Sequence, residues 1–173
     1  VTPNKGVVIR GQGIATAQGL QRASELSFMP VLAKNATGSA AYSAQLRFGQ
    51  EMTEVSVQTN LQGMAFSLPA PFNKPAQASW PLKFDNTLLE SSLTPERDGK
   101  VRIKDNLRLT VEKIADLKLV RDISGNVPKV IRGSMSVGLE GSEATPEPAN
   151  AVAANINIDR LDVDEWSRFF ASL

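Results

Sequence analysis

An all-β fold, a curved antiparallel sheet forming a groove or open sandwich with one short C-terminal helix, is predicted by three features of the sequence. Polar and apolar residues alternate with period two in at least eight segments. Glycine- and proline-containing turns separate those segments at short intervals. Helix signals occur in one stretch near the C-terminus.

The elements follow in order. Val7, Val8 and Ile9 read as a strand running into Gly11 and Gly13, glycines expected at a strand end or bulge. After Gly38-Ser39, Tyr42, Ala44, Leu46 and Phe48 alternate with Ser43, Gln45 and Arg47. Gly49-Gln50 makes a turn, and Val55, Val57 and Leu61 alternate with Ser56, Gln58 and Asn60. Pro69-Ala70-Pro71 stiffens an exposed connection before Trp80, Leu82 and Phe84. Pro95 to Gly99 turns the chain into Val101 and Ile103, and Leu107, Leu109 and Val111 continue the same parity. Residues 101–111 fit one long strand with Asp105 on its apolar side, or a hairpin with a three-residue loop. A two-residue Asp105-Asn106 loop would mix the faces. Leu117 and Leu119 precede the turn Ser124-Gly125-Asn126, and Met135, Val137 and Leu139 follow it. Residues 141–150 carry two prolines and no periodicity, so an exposed loop is expected there. Val152, Ala154, Ile156 and Ile158 form the last strand. Asp162 is a suitable N-cap with Glu165 three residues on, so a helix is expected over 163–171. Leu161 would staple onto Trp166, and Trp166, Phe169 and Phe170 would lie against the sheet.

A chain of 173 residues is long enough for one domain, 1–173, with its own core. Cysteine and histidine are both absent. That removes disulfides, thiolate nucleophiles, zinc–sulfur sites and the commonest neutral-pH base. Net charge is +1, with 19 basic and 18 acidic side chains, which argues against nucleic acid as a partner. The charge is uneven: residues 95–132 are rich in Lys and Arg, and 133–173 are acidic. Solvated strand faces explain that distribution, and weak contact with anionic headgroups is the functional alternative.

Two apparent motifs dissolve on inspection. Val7 to Gly13 starts like a dinucleotide fingerprint, but Thr16 stands where the third glycine belongs. Asp159, Asp162, Asp164 and Glu165 lack the glycine of a calcium loop, and helix N-terminal charge accounts for three of the four. No cofactor, metal or catalytic group is expected, and the chain reads as non-enzymatic.

The most specific stretch runs from Thr59 through Leu61, Gly63, Leu68, Pro69, Ala70, Pro71 and Lys74 to Pro81-Leu82. It resembles a recurrent signature of the YhdP branch of the AsmA-like envelope proteins of Gram-negative bacteria, departing at Thr59, where serine is usual. Gly63, Leu68, Pro69, Pro71 and Lys74 carry over as structural markers. The resemblance implies a long periplasmic protein, anchored in the inner membrane by a helix outside this fragment. It also implies a curved sheet that carries phospholipid toward the outer membrane. Val1, Thr2 and Pro3 show no initiator methionine or signal-peptide regions, in keeping with a piece of a longer protein.

A sheet greasy on one side must cover that side with another layer or accept an apolar ligand. One nine-residue helix is too short to cover many strands. The expected lining of a groove for phospholipid acyl chains is therefore Val55, Val57, Leu61, Leu82, Phe84, Leu107, Leu109, Val111, Val137, Leu139, Ile156 and Ile158. The alternative is a closed β-sandwich module that packs against neighbouring segments of the same long chain.

Overall fold

The structure is a computed structural model describing residues 6–22, 29–49, 51–96, 98–139 and 145–172. Gln50 and Arg97, in two of the expected turns, and 141–144 of the expected loop lie outside the described residues.

Alternating segments become strands, as the pleat requires. They are β1 (Val7–Thr16), β2 (Ala36–Phe48), β3 (Thr53–Thr59), β4 (Met64–Phe66), β5 (Leu82–Leu88), β6 (Lys104–Val111), β7 (Ala115–Asp122), β8 (Lys129–Val137) and β9 (Val152–Ile156). The sheet order is β1-β2-β3-β5-β6-β7-β8-β9, and β4 pairs with the start of β2. Neighbours are antiparallel except β8 and β9, which are parallel. A parallel pair needs a long connection, and residues 138–151 provide it. Within that connection Thr145 is buried, contrary to a wholly exposed loop. Its hydroxyl donates to the Met135 carbonyl at 3.0 Å and meets the Ser136 hydroxyl at 2.8 Å.

Of the two readings of 101–111, the single strand is the one formed, starting at Lys104. Asp105 sits on the apolar side and is 1% exposed. Its cross-strand neighbour Arg121 supplies the counter-charge, with contacts of 3.0 and 2.5 Å.

The N-terminal third departs from expectation in two ways. Gly11 and Gly13 lie inside β1 in regular register, not at a strand end or bulge. A Cβ on Gly13 would come within 2.9–3.0 Å of the Tyr42 ring and hydroxyl, so glycine lets that ring lie over the strand. Two short helices, α1 (Ala17–Gln21) and α2 (Met29–Lys34), connect β1 to β2. Neither is long enough to show a helical apolar period, which is why alternation alone passed over them. Thr16 is the N-cap of α1, its hydroxyl accepting from Gly19 N at 3.0 Å.

The C-terminal helix, α3 (Val163–Ala171), is capped by Asp162, which accepts from Glu165 N at 2.9 Å. It rests on the 70–72 connection, not on the sheet. Trp166 Nε1 donates to the Ala70 carbonyl at 3.1 Å, and its ring meets Phe72 edge-on at 6.1 Å. Phe170 is 62% exposed and lies beside the Trp166 ring, 5.4 Å between centroids, instead of against the sheet, and Leu161 is 55% exposed.

The buried core is small and off-centre. Its one cluster is Ala36, Ala40, Leu61 and Met64, with Ala15, Leu20, Phe66, Trp80 and Leu82 packed against them, and Leu107, Val120 and Val137 are buried separately on β6, β7 and β8. The chain exposes 11546 Å², against roughly 8,000 Å² for a compact monomer of this mass. The excess is what a single sheet with one largely uncovered face produces.

Candidate functional site: an apolar sheet face with a roofed end

Register sorts the side chains by face. Leu46, Val55, Asn86, Leu107, Leu119, Gly133 and Val152 face one another in a row across seven strands. The next row holds Ala44, Val57, Phe84, Leu109, Leu117, Met135 and Ala154, and the third Tyr42, Thr59, Leu82, Val111, Ala115, Val137 and Ile156. All three rows share one face. The other carries rows such as Gln12, Ser43, Gln58, Lys83, Thr110, Asp116, Ser136 and Asn155.

Nine of the twelve expected lining residues fall in these apolar rows: Val55, Val57, Leu82, Phe84, Leu107, Leu109, Val111, Val137 and Ile156. Leu139 and Ile158 lie past the ends of β8 and β9. Leu61 lies past β3, in left-handed backbone with φ 52°, and is part of the core that plugs one end of the face.

Polar groups interrupt the face at the opposite end. The Asp105–Arg121 pair stands one row beyond Leu107, and the Asn86 Oδ1 is buried with no partner. Most of the apolar side chains between are half-buried. Leu107 on β6 and Val137 on β8 are each 3% exposed, and exposure of the face is greatest on β9, at Val152 and Ile156.

At the plugged end, α1 and α2 lie over the apolar face and enclose a cavity of about 490 Å³. Tyr42, Val57, Leu82, Phe84 and Leu109 line it from the sheet, Leu20 and Leu32 from the helices, and Leu61, Met64 and Phe66 from the closed end. No charged side chain lines it. The Thr59 hydroxyl is already used, donating to the Ala41 carbonyl at 2.7 Å and accepting from Leu61 N at 3.0 Å. A wider depression of about 900 Å³ crosses the polar face at Gln12, Ser43, Gln58, Lys83 and Thr110. Ile14, Pro81 and Leu82 also line it, beside the Lys83 ammonium and the Glu112 carboxylate.

The marker residues 61–75 build the plug. Gly63, at φ 94°, allows its carbonyl to accept from Ser39 N at 3.2 Å. Leu68 and Pro69 are buried, and Pro71 is half-buried. Lys74 is 1% exposed, and its ammonium donates to the carbonyls of Leu61 at 2.7 Å, Met64 at 2.8 Å and Pro75 at 3.2 Å. Those three acceptors match its three protons, while burial holds its pKa below the usual lysine value. The sequence pattern gives Lys74 no role beyond that of a marker, because the carbonyls it ties leave no trace in residue identity.

Among the described residues no group of three or more acidic side chains could hold a metal ion. The densest charge cluster, Glu96, Asp98, Arg102 and Lys104, is internally paired. The Lys104 hydrogen bond, followed by the charges of Lys104 and Arg102, lowers the Glu96 pKa. No helix among the described residues is long and apolar enough to cross a membrane.

The fold and site define an open single-layer β-sheet protein, wet on one face and greasy on the other, with a roofed cavity at one end. A family model described as YhdP protein matches residues 2–173, and the chain belongs to that family. No curated protein matches it, and no solved structure does either.

Proposed function

We propose that this chain is a segment of a periplasmic envelope protein, anchored in the inner membrane by a part outside it, that carries phospholipid between the inner and outer membranes. The role is non-catalytic. The observation that carries the reading is the run of apolar rows across seven strands, with a roofed cavity at one end. Water against such a face is unfavourable by about 25 cal/mol per Å². Acyl chains lying on it remove that water and leave headgroups at the wet rim. The mechanism is passive: apolar walls without polar hooks hold a chain weakly at each point, so it moves without any bond being made or broken.

Native mass spectrometry with lipid extraction, on gently purified protein, tests this. Phospholipid bound to the folded chain is the expected result. Protein that never retains lipid, from membranes or from added vesicles, would refute it.

One observation favours the packing-module reading as a companion. The edge strand β1 is long and carries Val7 at 64% and Ile9 at 51% exposure, with no proline or lysine to block pairing. Such an edge suits a neighbouring segment of the same chain, which would lengthen the apolar face.

A further inference from the structure

We infer that the roofed cavity is a blind socket for the methyl end of a single acyl chain, and that its volume limits the length of chain it holds. The inference rests on the proposed function and narrows it, from an apolar face that shelters lipid to a place where one chain ends.

Three observations point there. First, the cavity is closed at its far end by packed protein: Met64 is 0% exposed and Leu61 9%, and the core of Ala36 and Ala40 lies against them. The Lys74 ammonium fixes the carbonyls of both Leu61 and Met64, so this wall is tied in place. Second, the near side is open. Val57, Phe84 and Leu109 line the cavity and belong to the middle apolar row, which runs on through Leu117 and Met135. A chain lying on the face therefore has an apolar path inward, but none beyond the plug.

Third, the size suits one chain. At roughly 30 Å³ for each water-sized group, about 490 Å³ takes on the order of sixteen methylenes. That is one long acyl tail. The second tail of a diacyl lipid would stay on the open face. The space exists because small residues stand where bulk would fill it: Ala15 and Ala40 on the sheet side and Gly19 on α1. An apolar cavity of this kind stays dry or binds an apolar guest.

The test is a length series of saturated fatty acids, octanoate to eicosanoate, bound to the whole chain and followed by fluorescence displacement. Affinity should rise about fourfold per methylene while the tail fills the socket. It should level off near hexadecanoate. Ala15→Leu adds three carbons to the wall and should move the plateau to tails about three carbons shorter. Leu109→Ala removes three and should move it the other way. If Ala15→Leu does not fold, Leu109→Ala alone carries the test. Affinity that climbs without a break to eicosanoate, or a plateau at the same length in the wild type and the folded variants, overturns the blind socket. Failure of every fatty acid to bind would instead count against the lipid reading itself.

Discussion

Val57→Glu separates a lipid-bearing face from an ordinary core. Val57 sits in the middle apolar row between Ala44 and Phe84 and lines the cavity. The three apolar rows on its face hold no cation to pair with the new carboxylate. The carboxylate would therefore hold water at the mouth of the cavity. If that water displaces about four methylenes of a bound chain at ~0.8 kcal/mol each, binding weakens by about 3 kcal/mol, or roughly a hundredfold. The cost to the fold is smaller, about 1–2 kcal/mol, because Val57 is half-buried and the carboxylate can turn toward solvent. Gln58→Glu is the matched control. It adds the same charge one residue away, on the polar face, and should alter neither quantity. The measurements are the lipid-to-protein ratio by native mass spectrometry and the urea unfolding midpoint. Equal lipid retention in the two variants would refute the reasoning, as would a loss of stability in Val57→Glu with lipid retention unchanged.

Other predictions follow from individual contacts. Lys74→Met leaves the carbonyls of Leu61, Met64 and Pro75 without their donor and should lower stability by about 2–3 kcal/mol in urea unfolding. Because burial lowers the Lys74 pKa, the unfolded chain binds more protons between that lowered value and 10.5. Stability therefore rises with pH through that window, and the part of the rise due to Lys74 should vanish in Lys74→Met. Asp105→Leu strands the Arg121 guanidinium and should cost about 3 kcal/mol, whereas Asp105→Leu with Arg121→Leu should regain most of it, as a double-mutant urea series would show. Trp166→Ala removes the bond to Ala70 and the edge contact with Phe72, and should release α3 to limited proteolysis while thermal unfolding of the sheet barely moves.

Much of the fold is legible in residue order, and particular residues show where that stops. Unbroken parity from Val101 through Val111 allows two readings, and the burial of Asp105 against Arg121 decides for one strand. Thr16, which in the sequence only breaks the glycine spacing of a dinucleotide fingerprint, caps α1. Leu61 keeps the parity of Val55 and Val57, yet left-handed backbone past β3 takes it off the face and into the plug. Leu139 and Ile158 keep parity too, but they fall past the strand ends. The parallel pairing of β9 with β8 has no counterpart in alternation, which is the same for either strand direction.

Which side of each strand is greasy could be read without coordinates, because successive side chains on an extended backbone must point to opposite faces. That local rule put nine of the twelve expected lining residues in shared apolar rows. Whether the greasy side is covered, and where, belongs to the folded chain alone. The plug joins Ala40, Leu61, Met64 and Lys74 with a helix pair too short to show a period. Such contacts bring together residues distant in sequence, whose fit depends on volume and backbone carbonyls, and no pattern along the chain encodes either.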